Sequence, residues 1–288
     1  MAFDLLPRLT GSASPLALRN TVFDWAVHDV GNLSSSEVGA LSAEISLEGA
    51  ILVVHPNEAR AGVAVEKFEG FEAFLAAPGR RVSHFALAGA GASDLGAASL
   101  ARTLANHLGE TVGAIVAGYG AAELVEEAMG GRVFFGGSNR LLAPAEPPTP
   151  QEAEAALRFA CRAQTHQPGW DEAMLIRLLT ESGRRIDTLL GHSRGALSIS
   201  FALQALAMAA PEAFARQVDA RVITAGAARP MPTAMRDVTQ FLGALDWLGE
   251  LNSDPTVPRI LAPRAWHHLN TQAPAHLDLA AALDGALG

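Results

Sequence analysis

The sequence predicts an α/β fold, with a mostly parallel central sheet flanked by helices on both faces. From residue 50 onward, short apolar runs alternate with segments of helical periodicity. The runs are apolar at successive positions, as strands covered on both faces must be. With 49% hydrophobic and 18% charged residues, a 288-residue chain also has the material for a large core. Only 6% of residues are aromatic, so that core is built from Ala, Leu and Val.

The first 49 residues are compositionally mixed, with a Ser/Gly patch at Gly31-Asn-Leu-Ser-Ser-Ser36, and read as a peripheral helix-and-loop extension. Residues 50–288 form the main domain. Strands are expected at Ala50–His55, Val82–Ala88, Val112–Gly118, Ile186–Leu190, Arg221–Ala225, Val238–Leu245 and Arg259–Trp266. Helices are expected at Glu58–Ala76, Asp94–Leu108, Ala121–Met129, Glu152–Arg162, Asp171–Glu181, Arg194–Ala209 and Leu277–Leu287. The stretch of about 132–170 interrupts this alternation. It contains Leu141-Leu-Ala-Pro-Ala-Glu-Pro-Pro-Thr-Pro150, whose prolines continue neither a helix nor a central strand. That stretch is an excursion over the sheet and a lid candidate; a plain surface connection is the alternative.

Composition narrows the function classes. Net charge is −9 and no block of lysines or arginines is present, which disfavours nucleic acid and anionic membrane as partners. Cys161 is the single cysteine; it reads as a small buried residue on its helix and fits a reducing compartment. The N-terminus lacks a basic region followed by an apolar core, and no apolar run approaches the roughly 20 residues of a membrane span. A cytoplasmic protein with no membrane span is the expectation. No His-Glu-x-x-His pattern occurs and no cysteine partners the histidines, so no metal site is expected. Gly89-x-Gly91 follows a strand, but Asp94 stands where a dinucleotide fingerprint needs its third glycine. The next strand also ends without a carboxylate, so no cofactor is expected.

The chemistry centres on Gly191-His192-Ser193-Arg194-Gly195, which lies between an apolar run and a helical pattern. This Gly-x-Ser-x-Gly places a serine on a sharp strand-to-helix turn with its hydroxyl exposed. A hydroxyl is a poor nucleophile unless a base takes its proton and an acid orients that base. Later strands supply both. The strand Val238–Leu245 ends at Asp246, and Arg259–Trp266 ends at His267-His268. Asp246 also reads as a cap for the segment after it, and Asp254 in Ser253-Asp-Pro255 is a rival acid in a turn-like sequence. Successive residues at a strand end point to opposite sides, so one of the two histidines faces Ser193.

With these residues in this order, the chain resembles the α/β-hydrolase superfamily, especially its lipase and esterase branches, over roughly residues 50–285. The resemblance implies a Ser–His–Asp triad of Ser193 as nucleophile, a histidine as base and Asp246 as orienter. Ala265-Trp266-His267 is similar to the small-x-His entry of many hydrolases and favours His267. His268 stays as the alternative, with His276 behind it. For the oxyanion hole the resemblance implies the N–H of Arg194 and a second donor from an earlier strand-to-helix loop. The loop Gly89-Ala90-Gly91-Ala92-Ser93-Asp94 fits, without the His-Gly common in hydrolases; the donor is Gly89, Ala90 or Gly91, with Ala90 taken as the choice. Asp94 suits the cap of the following helix. His192 has a supporting role through its neighbours. Arg194 meets an acidic substrate group or pairs with a surface carboxylate. Tyr119, in Gly118-Tyr-Gly120, is expected to be a packed ring or to line the pocket.

The expected activity is hydrolysis of a small-molecule carboxylic ester through an acyl-enzyme, with an apolar acyl group suggested by the Ala/Leu-rich surroundings. An acyltransferase or thioesterase would use the same nucleophile. A non-catalytic α/β-hydrolase-like binding protein is the third reading.

Overall fold

The strand runs Ile51–Val54, His84–Leu87, Val112–Ile115 and Thr188–His192 are buried at every position. A computed structural model describes residues 22–43, 46, 49–59, 65–77, 82–89, 91–117, 148–162, 170–181 and 183–287. Among these residues the strands are β1 (Ile51–Val54), β2 (Glu66–Phe68), β3 (His84–Leu87), β4 (Val112–Ile115), β5 (Thr188–His192), β6 (Arg221–Ala225), β7 (Asp237–Gly243) and β8 (Ile260–Ala262). They form one eight-stranded sheet in the order β2-β1-β4-β3-β5-β6-β7-β8. β1 runs antiparallel to β2 and β4, and every other neighbouring pair is parallel. The α/β class and the mostly parallel sheet are therefore observed.

The helices are α1 (Ser35–Ala43), α2 (Phe71–Ala76), α3 (Asp94–Leu108), α4 (Pro150–Arg162), α5 (Trp170–Thr180), α6 (Arg194–Ala209), α7 (Pro211–Ala215), α8 (Trp247–Leu251) and α9 (Leu279–Leu287). Neighbouring positions of one strand feed different apolar clusters, as the period of two requires. Leu52, Val54, Ala86, Ala114, Leu190 and Ile223 pack with Leu95, Leu100 and Leu104 of α3 and Leu283 of α9. Ile51, Val53, Phe85, Leu87, Leu189 and Val222 pack with Phe74 of α2, Leu175 and Leu179 of α5, and Ile199 and Leu203 of α6. Each such Leu, Ile or Phe contributes roughly 1.5–3 kcal/mol by leaving water. α3 is bounded by standard chemistry. The Ser93 hydroxyl accepts from the Leu95 N–H at its start, and Gly109 at φ 68° closes its end.

Parallel neighbours deliver their C-terminal ends to one edge of the sheet. The loops leaving β3, β5, β6, β7 and β8 therefore meet there, with β5 between β3 and β6. This is what gathers residues 89, 193, 226, 246 and 267 from distant parts of the chain.

Three expectations need correction. Of the helix expected at Glu58–Ala76, the described residues 65–76 are instead the strand β2 followed by the short α2. β1 has an open edge that β2 pairs in register, Leu52 opposite Lys67, and Gly70 breaks the helical pattern before Phe71. The strands expected to run to Leu245 and Trp266 end at Gly243 and Ala262, so Asp246 and His267 lie on loops beyond strand ends. Nor is the described part of residues 1–49 peripheral. Val30, Leu33 and Leu41 are in the core, and Glu37 of α1 forms a buried 2.6 Å ion pair with Arg102 of α3. The Leu269 N–H donates to the Val27 carbonyl at 2.6 Å, and Asn270 Nδ2 to the Trp25 carbonyl at 2.8 Å. The polar composition concealed this packing because much of it is hydrogen bonding rather than apolar burial. The expected helix at Ala121–Met129, most of the lid candidate at 132–170, Tyr119 and the Cys161 side chain lie outside the described residues. No helix among the described residues is long and apolar enough to cross a membrane.

Two glycines test the packing in opposite directions. A Cβ at Gly195 would collide with the Leu87 carbonyl of β3, whereas one at Gly285, on the exposed face of α9, meets nothing within 4 Å. Gly195→Ala should lower unfolding stability in urea by about 1–3 kcal/mol. Gly285→Ala should raise it by about 0.5–1 kcal/mol through helix propensity.

Candidate active site

Ser193 stands at φ 53°, ψ −120°, between β5 and α6. That region disfavours side chains and costs on the order of 1–3 kcal/mol, so the surroundings must enforce it. The Ser193 N–H donates to the Ala225 carbonyl of β6 at 2.8 Å, and the Ala196 N–H to the Ser193 carbonyl at 2.9 Å. Gly191 permits the turn to close, since a Cβ there would sit 2.7 Å from the Ala196 nitrogen. Gly195 permits α6 to rest against the Leu87 carbonyl. A serine at a helix N-cap normally uses its oxygen to accept an N–H of the first turn. Ser193 makes no such capping bond. The strained backbone turns its hydroxyl away from the helix.

That hydroxyl meets His267. Ser193 Oγ–H donates to His267 Nε2 at 2.8 Å, and His267 Nδ1–H donates to Asp246 Oδ2 at 2.8 Å. All three side chains are buried. The carboxylate fixes the tautomer that leaves Nε2 free to accept. Asp246 is itself held, because its Oδ1 accepts the Gly249 N–H at 2.7 Å as the N-cap of α8. Capping and orienting are thus done by different oxygens of one carboxylate. The close approach needs Gly249, whose Cβ would collide with Asp246 Oδ2.

The other candidates are placed elsewhere. His268 Nε2 donates to the Pro274 carbonyl at 3.1 Å, so the second histidine, carried as an alternative base, does not join Ser193. The neighbouring side chain diverges from Ser193 toward the Pro274 carbonyl. His276 pairs with the Ala273 carbonyl at 3.1 Å. Asp254 accepts from the N–H and hydroxyl of Thr256 at 2.8 and 2.7 Å in an exposed turn, and these bonds hold its carboxyl below the usual carboxylate range.

Arg194 opens α6, at the end of the helix where backbone N–H groups point outward. Its guanidinium lies 3.4 Å from Asp171 of α5, a buried carboxylate that also accepts from Ser198 at 3.1 Å. The expected surface pairing is therefore a buried one. Ala90 lies outside the described residues, but its neighbours locate the loop. A Cβ on Gly89 would be 3.2 Å from Ser193 Cβ, and Gly91 is at φ 73°. The loop is capped onto α3 by Ser93 rather than by Asp94, whose carboxylate instead accepts from Ser46 and from Lys67 Nζ at 2.6 Å.

Beside Ser193, His267 and Asp246 lie two buried polar side chains, Asp24 and His28, that the sequence did not single out. Asp24, from the helical residues 22–27, accepts from the Ser93 N–H and hydroxyl. His28 lies 3.9 Å from Asp24 and packs edge-on against His192, with ring centroids 5.5 Å apart. Burial pushes Asp24 up to about 7, against the Ser93 hydrogen bonds, and pushes His28 down to about 4, helped by His267. Burial, with His267 and His28 adding to it, also pushes His192 well below its ordinary value. At mildly acidic pH all three are neutral. Gly226, at φ 76° after β6, completes the surroundings; a Cβ there would lie 3.0 Å from the His267 ring. The available signal was Gly96, which lets Asp24 and His28 approach α3, but a helical glycine alone does not name its neighbours.

No protein-family model, curated protein or solved structure matches the chain. Among the described residues no group of three or more His, Cys, Asp or Glu side chains could hold a metal ion.

The neutral cluster sets a pH dependence. Between pH 5 and 6 the unfolded chain binds protons at His28 and His192 but not at Asp24, and the folded chain does the reverse. These three groups give the unfolded state a surplus of one proton, so their contribution to stability rises with pH in that window. In Asp24→Asn the surplus becomes two. Stability measured by urea unfolding should then climb about 1.4 kcal/mol more steeply per pH unit than in wild type. Parallel slopes would mean that Asp24 is ionised in the fold.

Proposed function

We propose that the protein is a serine hydrolase of the α/β-hydrolase type, with helices on both faces of the sheet, that cleaves carboxylic esters. The observation that carries this reading is the unbroken Ser193–His267–Asp246 relay, with both bonds at 2.8 Å, mounted on a strained strand-to-helix turn.

In the proposed reaction Ser193 Oγ attacks the ester carbonyl while its proton passes to His267 Nε2. The carbonyl oxygen becomes an oxyanion. The Arg194 N–H at the start of α6, together with a donor from the Gly89–Gly91 loop, is assigned to stabilise it. Collapse breaks the ester C–O bond, and the alcohol leaves with the proton from His267. Water then repeats the sequence on the acyl-Ser193, giving the acid and restoring the hydroxyl. Asp246 keeps its hydrogen bond to His267 Nδ1 and stabilises the imidazolium. An apolar acyl group suits the neighbourhood: exposed Leu245 and Trp247 flank Asp246, and exposed Trp266 precedes His267.

Hydrolysis of p-nitrophenyl acetate and longer homologues tests the reading. Ser193→Ala and His267→Ala should each lower kcat by on the order of 10^6. Asp246→Asn should lower it by about 10^4, because the amide disfavours the required tautomer. His268→Ala should leave kcat near the wild-type value. Equal activity in Ser193→Ala and wild type would overturn the proposal. Product transferred to an added alcohol or thiol in preference to water would reassign the same nucleophile to acyl transfer.

A further inference from the structure

We propose that His192, the residue immediately before Ser193, is a positioning residue for the base His267. The inference rests on the hydrolase reading above and extends it beyond the triad.

His192 ends β5 and is completely buried. Its Nε2–H donates to the backbone carbonyl of His267 at 2.9 Å. A carbonyl only accepts, so Nε2 carries the hydrogen and the ring is one fixed tautomer. No hydrogen-bond partner meets Nδ1, consistent with a neutral ring carrying a lone pair there. The two rings lie 5.2 Å apart, tilted by 43°, and both pack against Gly226. On its other side His192 is backed by the edge of the His28 ring at 5.5 Å.

The consequence is geometric. His267 lies on a loop, five residues past the end of β8, where the sheet ladder no longer holds it. Its imidazole is directed by Asp246 at Nδ1 and meets Ser193 at Nε2, but a ring so held still moves with its own backbone. The bond from His192 ties that backbone to the strand that carries the nucleophile. Nucleophile and base are thereby registered through one residue, the immediate neighbour of Ser193. An ångström of drift at this point is worth about 100-fold in rate. A neutral donor is also the suitable one, since a charged ring at 5.2 Å would oppose the imidazolium that forms on His267.

Three substitutions in the full chain separate positioning from packing. His192→Gln keeps an N–H donor near the position of Nε2; His192→Asn keeps an amide too short to reach; His192→Leu removes the donor. With p-nitrophenyl acetate, Asn and Leu should lower kcat by about 10–100-fold with KM little changed, and Gln should restore most of the loss. Fluorophosphonate labelling of Ser193 should slow in parallel. If the Leu variant does not fold, the comparison of Asn with Gln decides. Equal kcat for Asn and Gln, or a loss carried by KM, overturns the proposal while leaving the hydrolase reading intact. A wild-type protein that neither labels nor hydrolyses overturns both, and wild type alone reveals that case.

Discussion

The contact between the start of α6 and the end of β3 constrains everything else at the sheet edge. Gly195 rests against the Leu87 carbonyl and Gly191 lies under the Ala196 nitrogen, with no room for a Cβ at either position. The chain can reverse from strand to helix in so short a space only if the residue between them takes a positive φ, and that residue is Ser193. Its hydroxyl is consequently withdrawn from helix capping and presented at the edge where the parallel strands end. The strain is local, and the bonds from β6 and the first turn of α6 hold it. Placing the candidate nucleophile is therefore a result of backbone packing, before any side-chain chemistry enters.

The remaining parts are arranged around that fixed point by a second layer of close contacts. Gly249 admits the Asp246 carboxylate to α8, and Gly226 admits the rings of His192 and His267 beside β6. Neither position tolerates bulk, yet neither touches the serine. Behind them, Asp24, His28 and His192 form a buried polar group in which lack of water disfavours charge on each side chain. Neutrality is the workable state there, because an uncompensated charge in so dry a place costs several kcal/mol. The segment bearing Asp24 and His28 also bonds to the loop after His267 through Val27 and Trp25. The N-terminal segment thus braces the candidate base from outside the triad.

Much of this was legible in the chain. The spacing of Gly191, Ser193 and Gly195 between an apolar run and a helical pattern carries the elbow, because only glycine fits both flanking sites. The helices Asp94–Leu108 and Arg194–Ala209 were legible to the residue, their periodicity being uninterrupted. Strand ends were less so: β7 and β8 stop earlier than their apolar runs because Asp246 and His267 belong to loops that fold back over the edge. The strand at Glu66–Phe68 was hidden since pairing to β1, a long-range interaction, outweighs its local helical pattern. The choice between His267 and His268 turns on side-chain direction, which a sequence expresses only as alternation. The buried partners Asp24 and His28 were invisible for a similar reason: polar residues reveal burial only through the groups that meet them.

The central claim is that Ser193 is a nucleophile activated by His267. The most direct measurement is the mass of the intact protein after reaction with a fluorophosphonate, followed by location of the adduct in proteolytic fragments. The account predicts a single adduct per chain, on the fragment containing Ser193, and its disappearance in Ser193→Ala. No adduct, or one carried by another residue, would contradict it.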